Sequence, residues 1–197
     1  MLGDSLTAGF GLQEGDGLVP QLQTWLNMQG VEAQMQNAGV SGDTTAGGLS
    51  RLDWALGGGA DALIVALGGN DMLRGLSPAA ARNNLAAILD SAQARNLPVL
   101  LVGMHAPANL GLDYKQAFDA IYPDLAHEKG VLLFPDMFTG LMKAGADPAD
   151  PALMSAWMQK DGIHPNAEGV RLIVTALGPA VLDLIAKTQG QTDRPDR

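Results

Sequence analysis

The sequence has no cysteine, only nine aromatic residues, and fewer basic than acidic residues. The lack of cysteine excludes a disulfide scaffold, a thiolate metal site and a cysteine nucleophile. With 12 Lys and Arg against 21 Asp and Glu, the net charge is −9. This balance argues against binding to nucleic acid or to an anionic membrane surface, since both select a basic face. One soluble, acidic domain is expected from the 197 residues.

Long hydrophobic runs are also scarce. No apolar stretch approaches the roughly 20 residues that span a bilayer, and no basic-then-apolar leader is recognisable at the start. We therefore expect no integral membrane segment. The oligomeric state and the compartment stay open.

Short apolar runs alternate with longer amphipathic stretches, which is typical of an α/β domain with a parallel sheet. Three runs lack the alternation of a half-exposed strand and are predicted as strands buried on both faces. These are Ala62–Leu67, Pro98–Val102 and Val131–Phe134. Val31–Gln36 is predicted as a weaker fourth strand.

Helices are predicted where large apolar residues recur at helical spacing. These stretches are Leu18–Leu26, Leu49–Leu56, Leu85–Ala92, Ala117–Leu125 and Ala167–Ala186. Ser77 and Pro78 would start the third of them with an N-cap hydroxyl and a proline at the first helical position. Gly178-Pro179 should kink or split the last. We expect one domain over residues 1–187 and a disordered tail over residues 188–197, which has no apolar residue to bury.

Small polar residues are concentrated directly after the predicted strands. In a doubly wound sheet, ligands bind at the carboxyl ends of the strands, near the switch in strand order. The segments expected to meet there are Gly3–Gly11, Asn37–Thr45, Gly68–Gly75 and Met104–Gly111. The first three are dense in Gly, Asn, Asp and Ser, so the chemistry is expected among them.

Ser5 is the candidate nucleophile. It stands in Gly3-Asp4-Ser5-Leu6, just after what resembles a strand end. Acyl transfer by serine needs a hydroxyl presented on a turn, a base that takes its proton, and donors for the developing oxyanion. Gly, Asp and Ser also favour turns that have no catalytic role. The motif alone leaves both interpretations open.

His164 is the best-placed candidate base among three histidines. Asp161 lies three residues before it, so a carboxylate can hold one imidazole nitrogen and leave the other free. A helix-capping turn with an incidental histidine is the alternative. His105 has no carboxylate close in sequence, and His127 falls on a predicted solvated helix face. Histidines scattered in this way give poor spacing for a metal site.

Two segments offer oxyanion donors. Asn37–Thr44 contains Gly42, where a backbone N–H can approach a substrate closely, and Gly68–Asp71 contains Asn70 with its side-chain amide. Each segment alone also fits a glycine turn with an Asx cap.

Taken in order, four short motifs resemble the sequence blocks of the SGNH (GDSL) hydrolase family. They are Gly3-Asp4-Ser5-Leu6, Gly42, Gly69-Asn70-Asp71 and Asp161-x-x-His164. The resemblance extends from Gly3 to the last helix and is closest to the bacterial arylesterase, thioesterase I and lysophospholipase branch. Its supporting stretches are Gly68–Gly75, Ala106–Asn109, Ala117–Pro123 and Trp157–Asn166.

The resemblance implies a flavodoxin-like three-layer α/β/α sandwich and hydrolysis of small-molecule esters or thioesters through an acyl-enzyme. It implies that Ser5 is the nucleophile and that its own N–H, the N–H of Gly42 and the Asn70 amide form the oxyanion hole. It gives His164 the role of general base and Asp161 that of orienting it. It implies no cofactor and no metal. The substrates it leaves open are aryl esters, short-to-medium acyl esters, acyl thioesters and lysophospholipids.

Apolar residues in two loops are candidates for the substrate-binding wall. They are Met72, Leu73, Ala106, Pro107 and Leu110. The same residues equally fit a role in seating their loops on the core. Close relatives have a larger aliphatic residue before the proline, so Ala106 leaves the preferred acyl length open.

Two other functions remain to be weighed. A carbohydrate esterase of the same superfamily would need exposed aromatic residues, and only Trp157 is suitably placed, because Trp25 and Trp54 share helical spacing with leucines. A non-catalytic binding protein would keep the fold, but the complete Ser, Gly, Asn, Asp and His set argues against it.

The first predicted strand is unusually short. Only Met1 to Asp4 precede Ser5, whereas a strand needs about five residues. We expect Met1 to be an internal or misassigned start, with apolar strand-forming residues upstream. An export signal upstream, and with it a periplasmic location, would fit the same expectation.

Overall fold

A computed structural model describes residues 1–147 and 150–192 of the chain. Five parallel strands form one sheet in the order β2-β1-β3-β4-β5. The strands are β1 (Leu2–Gly3), β2 (Ala38–Gly39), β3 (Leu63–Ala66), β4 (Val99–Val102) and β5 (Leu132–Phe134). This is the doubly wound order of flavodoxin-like proteins. The predicted three-layer α/β/α fold is therefore confirmed.

Helices connect the strands and cover the sheet. They are α1 (Ser5–Ala8), α2 (Leu18–Met28), α3 (Thr45–Ser50), α4 (Leu52–Leu56), α5 (Gly69–Leu73), α6 (Pro78–Ala94), α7 (Leu112–Asp119), α8 (Ile121–Lys129), α9 (Thr139–Lys143), α10 (Pro151–Met154) and α11 (Ala167–Thr192). Short 3-10 turns occupy Ala108–Leu110 and Ser155–Trp157. Helices α2, α9 and α11 pack together, and α6 packs with α3, α7 and α8. The sheet between the two groups is buried, with every residue of β3 and β4 excluded from solvent.

The predicted strand at Val31–Gln36 is wrong. Residues 31–37, all within the described chain, form no strand, and β2 begins only at Ala38. The physical reason is the length of β1, which pairs through Leu2 and Gly3 alone, with Ala38 and Gly39 on one side. The α-amino group of Met1 donates to the Gln36 carbonyl at 2.6 Å, so Gln36 adjoins β1 without belonging to the ladder.

Two predicted helices are each divided in the structure. The stretch Leu49–Leu56 belongs to α3 and α4, and Ala117–Leu125 belongs to α7 and α8, which meet at Ala120. Ser77 and Pro78 do start α6, but within the described chain the Ser77 hydroxyl makes no capping hydrogen bond.

Helix α11 runs unbroken through Gly178-Pro179, so the prediction of a split helix is wrong in that form. A Cβ at Gly178 would overlap the ring of Trp25, which explains a glycine at this contact between α11 and α2. The helix also extends to Thr192, beyond the predicted end at Ala186. The remainder of the predicted tail, residues 193–197, lies outside the described residues.

The expectation about long apolar segments also needs a correction. By length and composition alone, Ala167–Gln189 is long and apolar enough to cross a membrane. Its residues Val170, Ile173, Val174 and Leu177 are buried in the core of the domain. A core helix passes the same test, so this single helix does not establish a membrane span.

Candidate active site

Ser5 is the first residue of α1, and Asp4 alone separates it from β1. The carboxylate of Asp4 caps this helix by accepting the Leu6 N–H at 3.0 Å. A Cβ at Gly3 would overlap the Thr7 hydroxyl, so only glycine lets α1 fold back so closely on the strand. The resulting tight turn holds the Ser5 hydroxyl at the carboxyl edge of the sheet.

The imidazole of His164 lies between Ser5 and Asp161. Its Nε2 is 2.9 Å from Ser5 Oγ, and its Nδ1 is 2.7 Å from Asp161 Oδ2. The chain therefore brings together residues 159 positions apart in sequence. This is the nucleophile, base and carboxylate arrangement that acyl transfer by serine needs.

Asp161 is held as a carboxylate. Its Oδ1 accepts the backbone N–H groups of His164 and Ile163, at 3.0 and 2.9 Å. These hydrogen bonds lower the pKa of Asp161 to about 2. The backbone N–H and the side chain of His164 contribute most to this shift, followed by the backbone N–H of Ile163. The carboxylate is thus ionised across the neutral range, and its orientation toward His164 Nδ1 is fixed.

Asn70 follows β3, in the first turn of α5. Gly68 takes a φ of +121°, and a Cβ there would overlap the hydroxyl of Tyr122, which donates to the Leu67 carbonyl at 2.9 Å. This turn directs the Asn70 amide toward the nucleophile segment. Its Nδ2 donates to the Asp43 carbonyl at 3.0 Å and lies 3.4 Å from Asp4 Oδ2.

Gly42 lies in the loop after β2 with a φ of +86°, and its carbonyl accepts a hydrogen bond from Arg74 at 2.7 Å. Within residues 1–147 and 150–192, the backbone N–H groups of Ser5 and Gly42 have no protein acceptor. Two backbone donors are therefore available to a substrate oxygen.

Asp4 has a second property that the sequence did not reveal. Its side chain is buried, with the residue only 2% exposed. Burial raises the pKa of Asp4 to about 6, although the Leu6 N–H and the nearby His164 both act in the opposite direction. A buried carboxyl group with a raised pKa thus lies directly beside Ser5.

Two further polar residues hold the site loops together, and sequence reasoning gave neither a role. Buried Asp71 accepts the Thr45 N–H at 2.8 Å and its hydroxyl at 2.6 Å, which ties the Asn70 turn to the segment after Gly42. Arg51 binds Asp43 and also donates to the Gly3 carbonyl at 2.9 Å. The sequence signal for both roles was a charged residue within a segment of small residues. Such a residue needs a partner if it is buried, because an unpaired buried charge is costly.

The predicted substrate wall is only partly exposed. Ala106 is 2% exposed, its N–H donates to Asp119 at 2.8 Å, and its carbonyl accepts from Lys115 at 2.8 Å. It therefore seats its loop on the domain. Leu73 and Pro107 are exposed, whereas Met72 and Leu110 are partly buried.

A small apolar depression adjoins Ser5 and His164. Its free volume is about 10 Å³, room for about one water molecule. The described residues that line it include Leu6, Phe10, Leu12, Leu18, Met137 and Val170. None of the five predicted wall residues belongs to this described lining. A much larger cleft, of about 710 Å³, lies at the amino ends of the strands and away from Ser5.

The other candidate histidine, His105, has carboxylates near it in space. Its Nδ1 is 3.3 Å from Asp119 and its Nε2 is 4.0 Å from Asp136. Among the residues that the structure describes, no group of three or more His, Asp or Glu side chains is arranged to hold a metal ion.

Comparison with known proteins agrees with this geometry. Residues 1–172 match the GDSL-like Lipase/Acylhydrolase family. The chain is 39% identical over 186 residues to Esterase TesA of Pseudomonas aeruginosa (strain PAO1), covering 94% of this chain and 88% of that protein. It is 36% identical over 187 residues to Thioesterase 1/protease 1/lysophospholipase L1 of Escherichia coli (strain K12), covering 94% and 83%.

A solved structure gives the same result. AlinE4, an SGNH-hydrolase family esterase, is 47% identical, with a TM-score of 0.72 over 92% of this chain and 93% of its own. The chain belongs to the GDSL-like lipase/acylhydrolase family, as its motifs predicted. It is a carboxylic ester hydrolase of the serine type, in preference to a non-catalytic protein or a carbohydrate esterase.

Proposed function

We propose that the chain hydrolyses aryl esters and short-to-medium acyl esters or thioesters through an acyl-enzyme on Ser5. The observation that carries the proposal is the 2.9 Å contact between Ser5 Oγ and His164 Nε2. A base at hydrogen-bond distance lets the serine oxygen lose its proton as it attacks the substrate carbonyl. His164 then returns the proton to the leaving group.

In this mechanism Asp161 holds the Nδ1–H of His164 and so leaves Nε2 as the acceptor. The ionised carboxylate also stabilises the imidazolium that forms when Ser5 is deprotonated. Water takes the place of the leaving group in the second half of the reaction. His164 activates that water, and the acid product is released from Ser5.

The oxyanion is assigned to the N–H groups of Ser5 and Gly42 and to the amide of Asn70. One amide hydrogen of Asn70 is used on the Asp43 carbonyl at 3.0 Å. The other makes only a long contact of 3.4 Å with Asp4, so it is the hydrogen we assign to the substrate oxygen. Three donors in fixed places stabilise the charge that develops in the transition state.

The small apolar depression next to Ser5 suits the acyl group. Because the depression is small and lined by apolar side chains, short acyl chains are expected to react faster than long ones. Met72, Leu73, Pro107 and Leu110 are assigned to the leaving-group side, whereas buried Ala106 seats its loop on the domain. Trp157, considered above for a sugar contact, is partly buried and packs against the core.

The experiment combines covalent labelling with turnover of p-nitrophenyl esters from acetate to palmitate. A fluorophosphonate should label the wild type, and Ser5→Ala should abolish both labelling and turnover. Ser77→Ala is the matched control, because the Ser77 hydroxyl makes no capping bond in the described chain and its loss should change neither. Labelling of Ser5→Ala, or undiminished turnover by it, would overturn the assignment.

A further inference from the structure

One glutamine side chain joins the two segments that carry Ser5 and His164. Gln159 Nε2 donates to the carbonyl of Phe10 at 2.8 Å and to that of Pro165 at 3.0 Å. Phe10 lies just after α1, which starts with Ser5, and Pro165 directly follows His164. Both amide hydrogens are therefore used to connect the nucleophile segment with the base segment.

The backbone of Gln159 also closes the loop that contains Asp161 and His164. Its N–H donates to the His164 carbonyl at 2.7 Å, and its carbonyl accepts the Gly162 N–H at 3.0 Å. The side chain of Gln159 thus extends from a residue that is itself fixed to the histidine.

The side-chain amide of Gln159 also packs closely against the segment that follows Ser5. Gly11 has a φ of +74°, and a Cβ there would overlap Gln159 Oε1. The neighbouring ring of Phe10 packs on the imidazole with 4.7 Å between ring centroids. The carbonyl that Gln159 binds therefore belongs to the residue that covers His164.

We propose that Gln159 is a positioning residue that maintains the Ser5–His164 contact. The proposal rests on the roles given to Ser5 and His164 above. Misplacement of a reacting group by about 1 Å can cost about 10²-fold in rate. The two hydrogen bonds that connect the Ser5 segment to the His164 segment can therefore affect the rate measurably. Gln159 touches neither reacting atom and acts through the two segments.

The chain offers a matched control in Gln21. Its Nε2 donates to the carbonyls of Asp16 and Ala167, at 2.8 and 3.0 Å. It therefore joins the same two regions, the stretch after α1 and the start of α11, with the same number of bonds. Its partners lie outside the Asp161–His164 loop.

The test compares Gln159→Leu, Gln159→Glu and Gln21→Leu for turnover of p-nitrophenyl acetate and for melting temperature. Leucine removes both donors, whereas glutamate keeps the size and places acceptor oxygens opposite the two carbonyls. We expect kcat to fall by roughly 10- to 100-fold in both Gln159 variants, with KM changed less than about threefold. Gln21→Leu should keep kcat within about twofold, even if its melting temperature falls as far as that of Gln159→Leu.

The same substitution in a His164→Ala background separates positioning from a general structural role. Without the imidazole there is nothing left to position, so Gln159→Leu should lower the residual rate no further. An equal fold-loss in both backgrounds would overturn the proposal, as would an unchanged kcat in both Gln159 variants or an equal kcat loss in Gln21→Leu. An inactive wild type would instead contradict the proposed function, and this role with it.

Discussion

His164 and His105 both lie near carboxylates, but their two nitrogens face different groups. His164 has Asp161 at 2.7 Å on one nitrogen and the Ser5 hydroxyl at 2.9 Å on the other. His105 has Asp119 at 3.3 Å on one side and Asp136 at 4.0 Å on the other. The His164 side chain is 16% exposed, against 49% for His105.

The difference suggests a criterion for the base, which needs one nitrogen anchored and the other directed at a hydroxyl. Of the two histidines, His164 has this arrangement, so we expect His164 and not His105 to be the base. The carboxylate of Asp119 is used otherwise, on Lys115 at 2.7 Å and on the Ala106 N–H. Partial burial raises the pKa of Asp119, but these hydrogen bonds outweigh it and lower the pKa overall. His105 thus belongs to a cluster that fixes a loop.

The largest expected effect comes from replacing each of the two histidines with alanine. His164→Ala should lower kcat by roughly 10⁴–10⁶, because Ser5 then has no base. His105→Ala should leave kcat within about threefold. Steady-state turnover of p-nitrophenyl acetate measures both, and comparable losses in the two variants would contradict the assignment of the base.

The carboxylate partners provide the next test. Asp161→Asn should lower kcat by roughly 10²–10⁴, because the amide favours the wrong imidazole tautomer. Asp119→Asn weakens the seat of the Ala106 loop, so it should lower the melting temperature more clearly than kcat. A kcat loss in Asp119→Asn as large as that in Asp161→Asn would show that the two clusters are not distinct in function.

Substitution of Asn70, the proposed side-chain donor to the oxyanion, tests whether catalysis occurs beside Ser5 and His164. Asn70→Ala should lower kcat by roughly 10²–10³ with little change in KM, since its amide is used mainly in the transition state. Steady-state kinetics separates the two parameters. A change confined to KM would make Asn70 a substrate-positioning residue instead.

A smaller effect concerns Asp4, whose charge lies near His164. Its folded pKa of about 6 lies above the ordinary 3.8, so the folded state holds the proton more tightly. Ionising this buried group costs stability, which should fall as the pH rises from about 4 to about 6 and stay reduced above that. The shift corresponds to about 3 kcal/mol.

Asp4→Asn should remove this dependence while keeping an oxygen for the Leu6 N–H. Urea unfolding of both proteins at pH 4 and pH 7 isolates the contribution, because other groups titrate alike in the two. If the difference in unfolding free energy between the two proteins is the same at both pH values, Asp4 does not titrate in this range.

Much of the site could be predicted because its residues lie in short motifs with local geometry. Gly3-Asp4-Ser5 needs a tight turn after a strand, and Asp161 can reach His164 within one loop. The parallel sheet followed from buried strands that alternate with helices, whereas its flavodoxin-like form was implied by the family resemblance. These features depend on residues close together in sequence.

What could not be predicted depends on distant partners. Val31–Gln36 has a strand-like pattern, but β1 is too short to pair with it. Asp71 and Gln159 find their partners 26 and 149 residues away. Nothing in a local pattern specifies such contacts, so their roles emerged only with the fold.

The most direct test of the account is the pH dependence of kcat/KM in the wild type and in His105→Gln. We expect kcat/KM to rise with pH between about pH 5 and 8, the range in which histidine ordinarily titrates, and we expect the same profile from both proteins. A flat profile in the wild type would reject His164 as the group that controls the rate. If the rise disappears in His105→Gln, then His105 and not His164 controls the rate, which would contradict the assignment of the base.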